Sequence, residues 1–101
     1  MAMRIALLNP PHSAIGSRIP DEQLPPLGLL CVGGPLIDDG HAVTLIDADR
    51  ENLADDEALR RICAFAPDIL MIGHSGSTSA HPVVSRVTRL VRAALPGVVI
   101  I

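Results

Sequence analysis

The sequence predicts an α/β fold, with a parallel sheet held between layers of helices. Three observations carry that expectation. Short apolar-rich runs recur at Ile5–Leu8, Val43–Ile46, Ile69–Ile72 and Val98–Ile101, each bounded by turn or polar residues or by the end of the chain. Longer stretches with helical spacing separate them, so strand and helix alternate along the chain. Such alternation calls for right-handed crossovers and a parallel sheet with both faces covered.

The elements follow in order. Arg4–Asn9 (RIALLN) is the first strand; its consecutive apolar residues suit a central position, and Pro10-Pro11 ends it because proline cannot donate to a ladder. A long loop runs from His12 to about Pro25, a length that is usually functional or disordered. Pro26–Asp39 (PLGLLCVGGPLIDD) reads as a helix, with Leu27, Leu30, Cys31, Gly34 and Ile37 on one face and Gly40 as its stop. Gly33, Gly34 and Pro35 lie in its middle, where an interior proline costs about 3 kcal/mol, so a kink or a break is expected near Pro35. Small residues there would let the helix lie close to the sheet or to a ligand.

His41–Asp49 (HAVTLIDAD) is the second strand, with Asp47 and Asp49 at its end. Asp55–Ala66 is an amphipathic helix: Asp55, Asp56 and Glu57 suit the positive end of its dipole, and Leu59, Ile62, Cys63 and Ala66 share a face. Asp68–Ile72 is the third strand. It gives way to Gly73-His74-Ser75-Gly76-Ser77-Thr78-Ser79-Ala80, small and polar throughout. A third helix spans about Pro82–Ala94, with Val83, Val84, Val87, Leu90, Val91 and Ala94 at helical spacing and Arg86, Arg89 and Arg92 forming a solvated face. Val98–Ile101 begins a fourth strand. The chain stops on this apolar tetrapeptide, so it reads as an incomplete fragment (residues 1–101) of a longer protein, truncated before the last strand or strands.

Composition narrows the function. The 101 residues are 49% hydrophobic with a formal net charge of −3, which gives no electrostatic pull on nucleic acid or an anionic membrane. Phe65 is the sole aromatic residue, so a stacking platform for bases is missing. Cys31 and Cys63 show no Cys-x-x-Cys spacing and read as two buried reduced thiols of a cytoplasmic protein. No apolar run reaches the roughly 20 residues of a membrane span, and no signal peptide opens the chain.

Two loops are unusual, His12–Pro25 and Gly73–His81, and they follow the first and third strands. In the flavodoxin-like (Rossmann-like) order, here 2-1-3-4, those strands are neighbours and ligands bind at the switch point between them. The two loops then share one crevice. A small-residue loop at the carboxyl end of a strand lets a ligand approach the backbone and offers hydroxyls and N–H groups to it; an ordinary β-to-α turn would use the same residues. The dinucleotide signature Gly-x-Gly-x-x-Gly is missing from NPPHSAIGSRIP, although Asp47 or Asp49 stands where its acid would be. The phosphate loop is missing too, and the chain has no lysine. The acids that would hold Mg²⁺ in a phospho-receiver are replaced by Asn9 and His74. Gly-x-Ser-x-Gly does not occur, and His74 beside Ser75 has no third partner for a nucleophile.

Asn9-Pro10-Pro11, Pro25-Pro26-Leu27-Gly28-Leu29-Leu30, Leu36 to Gly40-His41-x-Val43, Asp47, and Asp68-Ile69-x-x-Ile72-Gly73 with its Ser/Thr loop occur in that order. Together they resemble the N-terminal cobalamin-binding domain of cobalamin-dependent radical SAM enzymes, nearest to the anaerobic oxidative cyclases of tetrapyrrole (bacteriochlorophyll) synthesis. The resemblance covers essentially the whole chain. It implies a flavodoxin-like domain holding cobalamin over the carboxyl ends of its strands. The nucleotide tail would lie beside Ser75, Gly76, Ser77 and Thr78, and the corrin near Pro10, Pro11 and His12. It also implies a later radical SAM domain in the same chain, carrying a [4Fe-4S] cluster, S-adenosylmethionine and the tetrapyrrole substrate. The chain alone would then be non-catalytic; a cobalamin-dependent radical SAM methyltransferase domain, or a flavodoxin-like regulatory or interaction module without cobalamin, is the alternative. Other cobalamin modules ligate cobalt through the histidine of Asp-x-His-x-x-Gly. Here Pro10 replaces the Asp and Ile15 the Gly, so His12 is not assigned to cobalt and no metal ligand is expected.

Overall fold

The computed structural model describes residues 2–10, 27–73 and 81–101. Its elements are β1 (Arg4–Asn9), α1 (Leu27–Asp38), β2 (Ala42–Asp47), α2 (Asp55–Phe65), β3 (Ile69–Ile72), α3 (His81–Ala94) and β4 (Val99–Ile100). The strands form one sheet in the order β2-β1-β3-β4, every pairing parallel. This is the flavodoxin-like order expected from the two unusual loops. The second strand ends at Asp47, two residues early, because Asp47 begins a turn: its Oδ1 accepts the Arg50 N–H at 3.1 Å and its carbonyl accepts the Glu51 N–H at 3.1 Å.

β1 is central and buried from Ile5 to Asn9. Register assigns its alternate residues to opposite faces. Ala6 and Leu8, aligned with Leu70 and Ile46, join Ala58 and Ile62 of α2 and Val87 and Val91 of α3 in the main core. Full burial of each Leu, Ile or Val contributes about 1.5–3 kcal/mol. α2 turns Ala58 and Ile62 inward, with Leu59 and Cys63 only half-buried and Ala66 exposed. α3 turns Val83, Val87 and Val91 inward, a narrower stripe than expected, and leaves Leu90 and Ala94 exposed. The arginines of α3 are exposed but engaged. Arg86 pairs with Asp55 of α2, which raises its pKa further, and Arg92 donates at 2.7 Å to both the Pro96 and Val98 carbonyls.

α1 covers the other face. It is one helix through Pro35, without the break expected as one of two outcomes there. Gly34 precedes the proline without a Cβ for the ring to strike, and Cys31, whose carbonyl loses its donor, is exposed to water. Its inward face also differs from expectation. Leu30, Cys31, Gly34 and Ile37 are exposed, while Leu29, Gly33 and Leu36 turn inward. Gly33 decides this. A Cβ there would lie 2.9 Å from Leu7 Cδ1, so with glycine the helix settles this near the sheet without Leu7 having to shift. Cys31 is therefore not the buried thiol expected, and Cys63 is only partly covered.

The amino end of the sheet is latched by side chains. Asp68 Oδ2 accepts the Arg4 N–H at 2.8 Å. The Arg4 guanidinium donates to the Phe65 carbonyl at 2.9 and 2.6 Å and lies 4.3 Å from the Phe65 ring centroid. No described helix is long and apolar enough to cross a membrane.

Candidate functional site at the carboxyl end of the sheet

The βαβ connection places the carboxyl ends of all strands and the amino ends of the helices along one edge. β1 and β3 are level there: Leu8 pairs with Ile72, and the Gly73 N–H donates to the Leu8 carbonyl at 2.9 Å. The chain leaves β1 at Pro10, which is fully buried, and leaves β3 at Gly73. Both loops singled out in the sequence thus depart from adjacent strands at the same end. Leu29, from the first turns of α1, closes in behind them, for a Cβ on Gly73 would stand 3.2 Å from Leu29 Cδ1.

One polar pair sits on this edge. Asn9, the only buried polar residue among those described, is 6% exposed, and its Nδ2 donates to Asp47 Oδ1 at 2.9 Å. The Asn9 carbonyl accepts the Ala48 N–H at 3.0 Å. Burying an amide without partners would cost on the order of 1–3 kcal/mol, and Asp47 supplies one partner to Asn9. Among the described residues no trio of His, Cys, Asp or Glu lies close enough to hold a metal ion. A shallow open depression beside Pro35, Leu36, Asp38 and Asp39 lies at the far end of α1, away from this edge.

The level carboxyl ends of β1 and β3, with Gly73 at the exit of β3, suit a ligand held at the switch point. Compared with protein families, residues 20–101 match the model of the B12 binding domain. The chain belongs to the B12-binding domain family. In a search of characterised proteins, the anaerobic magnesium-protoporphyrin IX monomethyl ester cyclase of Synechocystis sp. (strain ATCC 27184 / PCC 6803 / Kazusa) is 63% identical over 99 residues, 98% of this chain. The chain spans 20% of that relative's length. No solved structure matches.

Within this B12-binding domain, Pro10 is the one sequence-predicted site residue that the structure describes, packed at the exit of β1. Pro11, His12, Ser75, Gly76, Ser77 and Thr78 lie outside the described residues. The Asn9–Asp47 pair was the feature that residue-by-residue reading missed as a unit. The signal available was weak: an Asn and an Asp, each ending its strand, with the two strands adjacent in the predicted order.

Proposed function

We propose that this chain is the cobalamin-holding module of a radical SAM oxidative cyclase that acts on a magnesium tetrapyrrole monomethyl ester in bacteriochlorophyll synthesis. The observation that carries the reading is the likeness to the Synechocystis cyclase along 98% of the chain, joined to family membership in B12-binding domains. Pro10, Pro11 and His12 would lie near the corrin, and Ser75, Gly76, Ser77 and Thr78 beside the nucleotide tail. Bound cobalamin supplies a cobalt centre for redox or group-transfer chemistry. The role of this chain is to hold and orient it at the carboxyl edge, with β1 and β3 supplying a rigid floor. A radical SAM domain in the same chain, with its [4Fe-4S] cluster and S-adenosylmethionine, would carry out the ring closure in the cytoplasm.

The reading is tested by titrating hydroxocobalamin into the protein and following the corrin absorption. A saturable spectral change supports it; no change at stoichiometric excess overturns it. Gly76→Leu should abolish the change while leaving the far-ultraviolet circular dichroism intact, because a side chain there would occupy the place of the nucleotide tail. Normal binding by Gly76→Leu would move the tail elsewhere.

A further inference from the structure

We infer that Asp47 is a specificity residue for the amidated rim of the corrin, and that Asn9 positions its carboxylate for that task. The inference rests on the cobalamin reading above and deepens it. Asp47 is the last residue of β2 and is registered on Asn9, the last residue of β1. It therefore stands one strand away from the β1–β3 mouth, within the footprint of a macrocycle wider than the spacing of about 4.8 Å between strands.

The carboxylate is half engaged. Oδ1 accepts from two described donors, Asn9 Nδ2 at 2.9 Å and the Arg50 N–H at 3.1 Å. Oδ2 has no hydrogen bond among the described residues, and Asp47 is only partly covered. The turn accounts for Oδ1 alone. It does not require a charged group, since an asparagine carbonyl caps the same turn. Nor does it explain why an amide is buried behind the carboxylate to fix it.

An ionised carboxylate accepts hydrogen bonds and cannot donate them. Cobalamin carries primary amides around its ring, each with N–H groups to offer. Corrinoids whose side chains are free carboxylates would instead meet like charge. The neighbouring charges do not cancel that preference fully: Glu51 is paired with Arg61, and the Arg50 side chain is exposed. Asp47 thus selects amidated over carboxylated corrinoids.

The test compares cobinamide with cobyrinic acid, which both lack the nucleotide tail and differ in the rim, for the purified full chain and for Asp47→Asn. The substitution keeps the acceptor for Asn9 and Arg50 and replaces Oδ2 by a donor. The unsubstituted protein should bind cobinamide at least about tenfold more tightly, the size of one charge-assisted hydrogen bond. Asp47→Asn should narrow that ratio by about tenfold, with its melting temperature unchanged. Equal ratios in the two proteins, or no preference in the unsubstituted one, would overturn the assignment even if Asp47→Asn folds poorly. Failure of the unsubstituted protein to bind hydroxocobalamin would overturn the cobalamin reading and this inference together. Hydroxocobalamin binding with an unaltered ratio would remove the role of Asp47 alone.

Discussion

The two faces of the sheet are built differently. Under α2 and α3 the contact is made by large side chains on both sides: Leu8, Ile46 and Leu70 meet Ile62, Val87 and Val91. Under α1 the contact is made by a missing side chain, with Gly33 letting the helix down onto Leu7 and Val43. The first arrangement writes a stripe into the sequence, because polar residues must fill the outer face. The second does not. α1 keeps Leu30, Val32 and Ile37 exposed, so it is apolar on nearly every side and its spacing singles out no direction. The lesson is that burial by bulk is periodic and therefore readable, whereas burial by close approach hinges on one small residue.

The contrast has consequences in measured stability. Ile62 is wholly buried, so Ile62→Ala should leave a cavity and cost about 2–5 kcal/mol in urea unfolding. A loss below about 1 kcal/mol would mean that the α2 face is loosely packed. On the α1 face the opposite change is the damaging one. Gly33→Val would place methyls where Leu7 already sits and should cost about 1–3 kcal/mol through overpacking. If Gly33→Val were as stable as the parent, α1 would ride higher on the sheet than the geometry here allows.

The same contrast appears where the helices end. α1 stops at Gly40, which takes φ +90° without strain. α2 stops at Ala66, which takes φ 53° at a steric cost. Ala66→Gly should therefore raise stability by up to about 1 kcal/mol, or about 4–8 °C in melting temperature, with added chain entropy in the unfolded state trimming the gain. A lower melting temperature would show that the turn into Pro67 relies on the alanine methyl.

Much of this was legible from the chain itself. Arg4–Asn9 was delimited to the residue, since prolines follow it directly, and the strand order followed from where the two odd loops fall. The edge from which the chain leaves β1 at Pro10 and β3 at Gly73 was legible for the same reason. What was not legible depends on distances across the fold. The passage of α1 through Pro35 turns on the lack of a Cβ at Gly34, and its orientation on the space above Leu7. The Asn9–Asp47 pair needs two strand ends, 38 residues apart in sequence, to be level. Such facts come from register, which spacing along one segment does not encode.

The smallest expected effect bears on the outer side of α1. Ile37 is 58% exposed and Leu30 45%. Scattered exposed apolar residues are ordinary, and each already sits largely in water, so replacing one removes little buried area. Ile37→Ser should change the unfolding free energy by no more than about 0.5 kcal/mol, part of it from the lower helix propensity of serine near a helix end. Urea unfolding of the 101-residue chain checks that value. The same substitution in this domain joined to a downstream domain, as a longer form, gives a second value. Equal small losses in both would leave α1 facing solvent in each. A loss of about 2 kcal/mol confined to the longer form would mean that other parts of the chain pack on α1, and that its all-round apolarity is that of a helix buried on two sides.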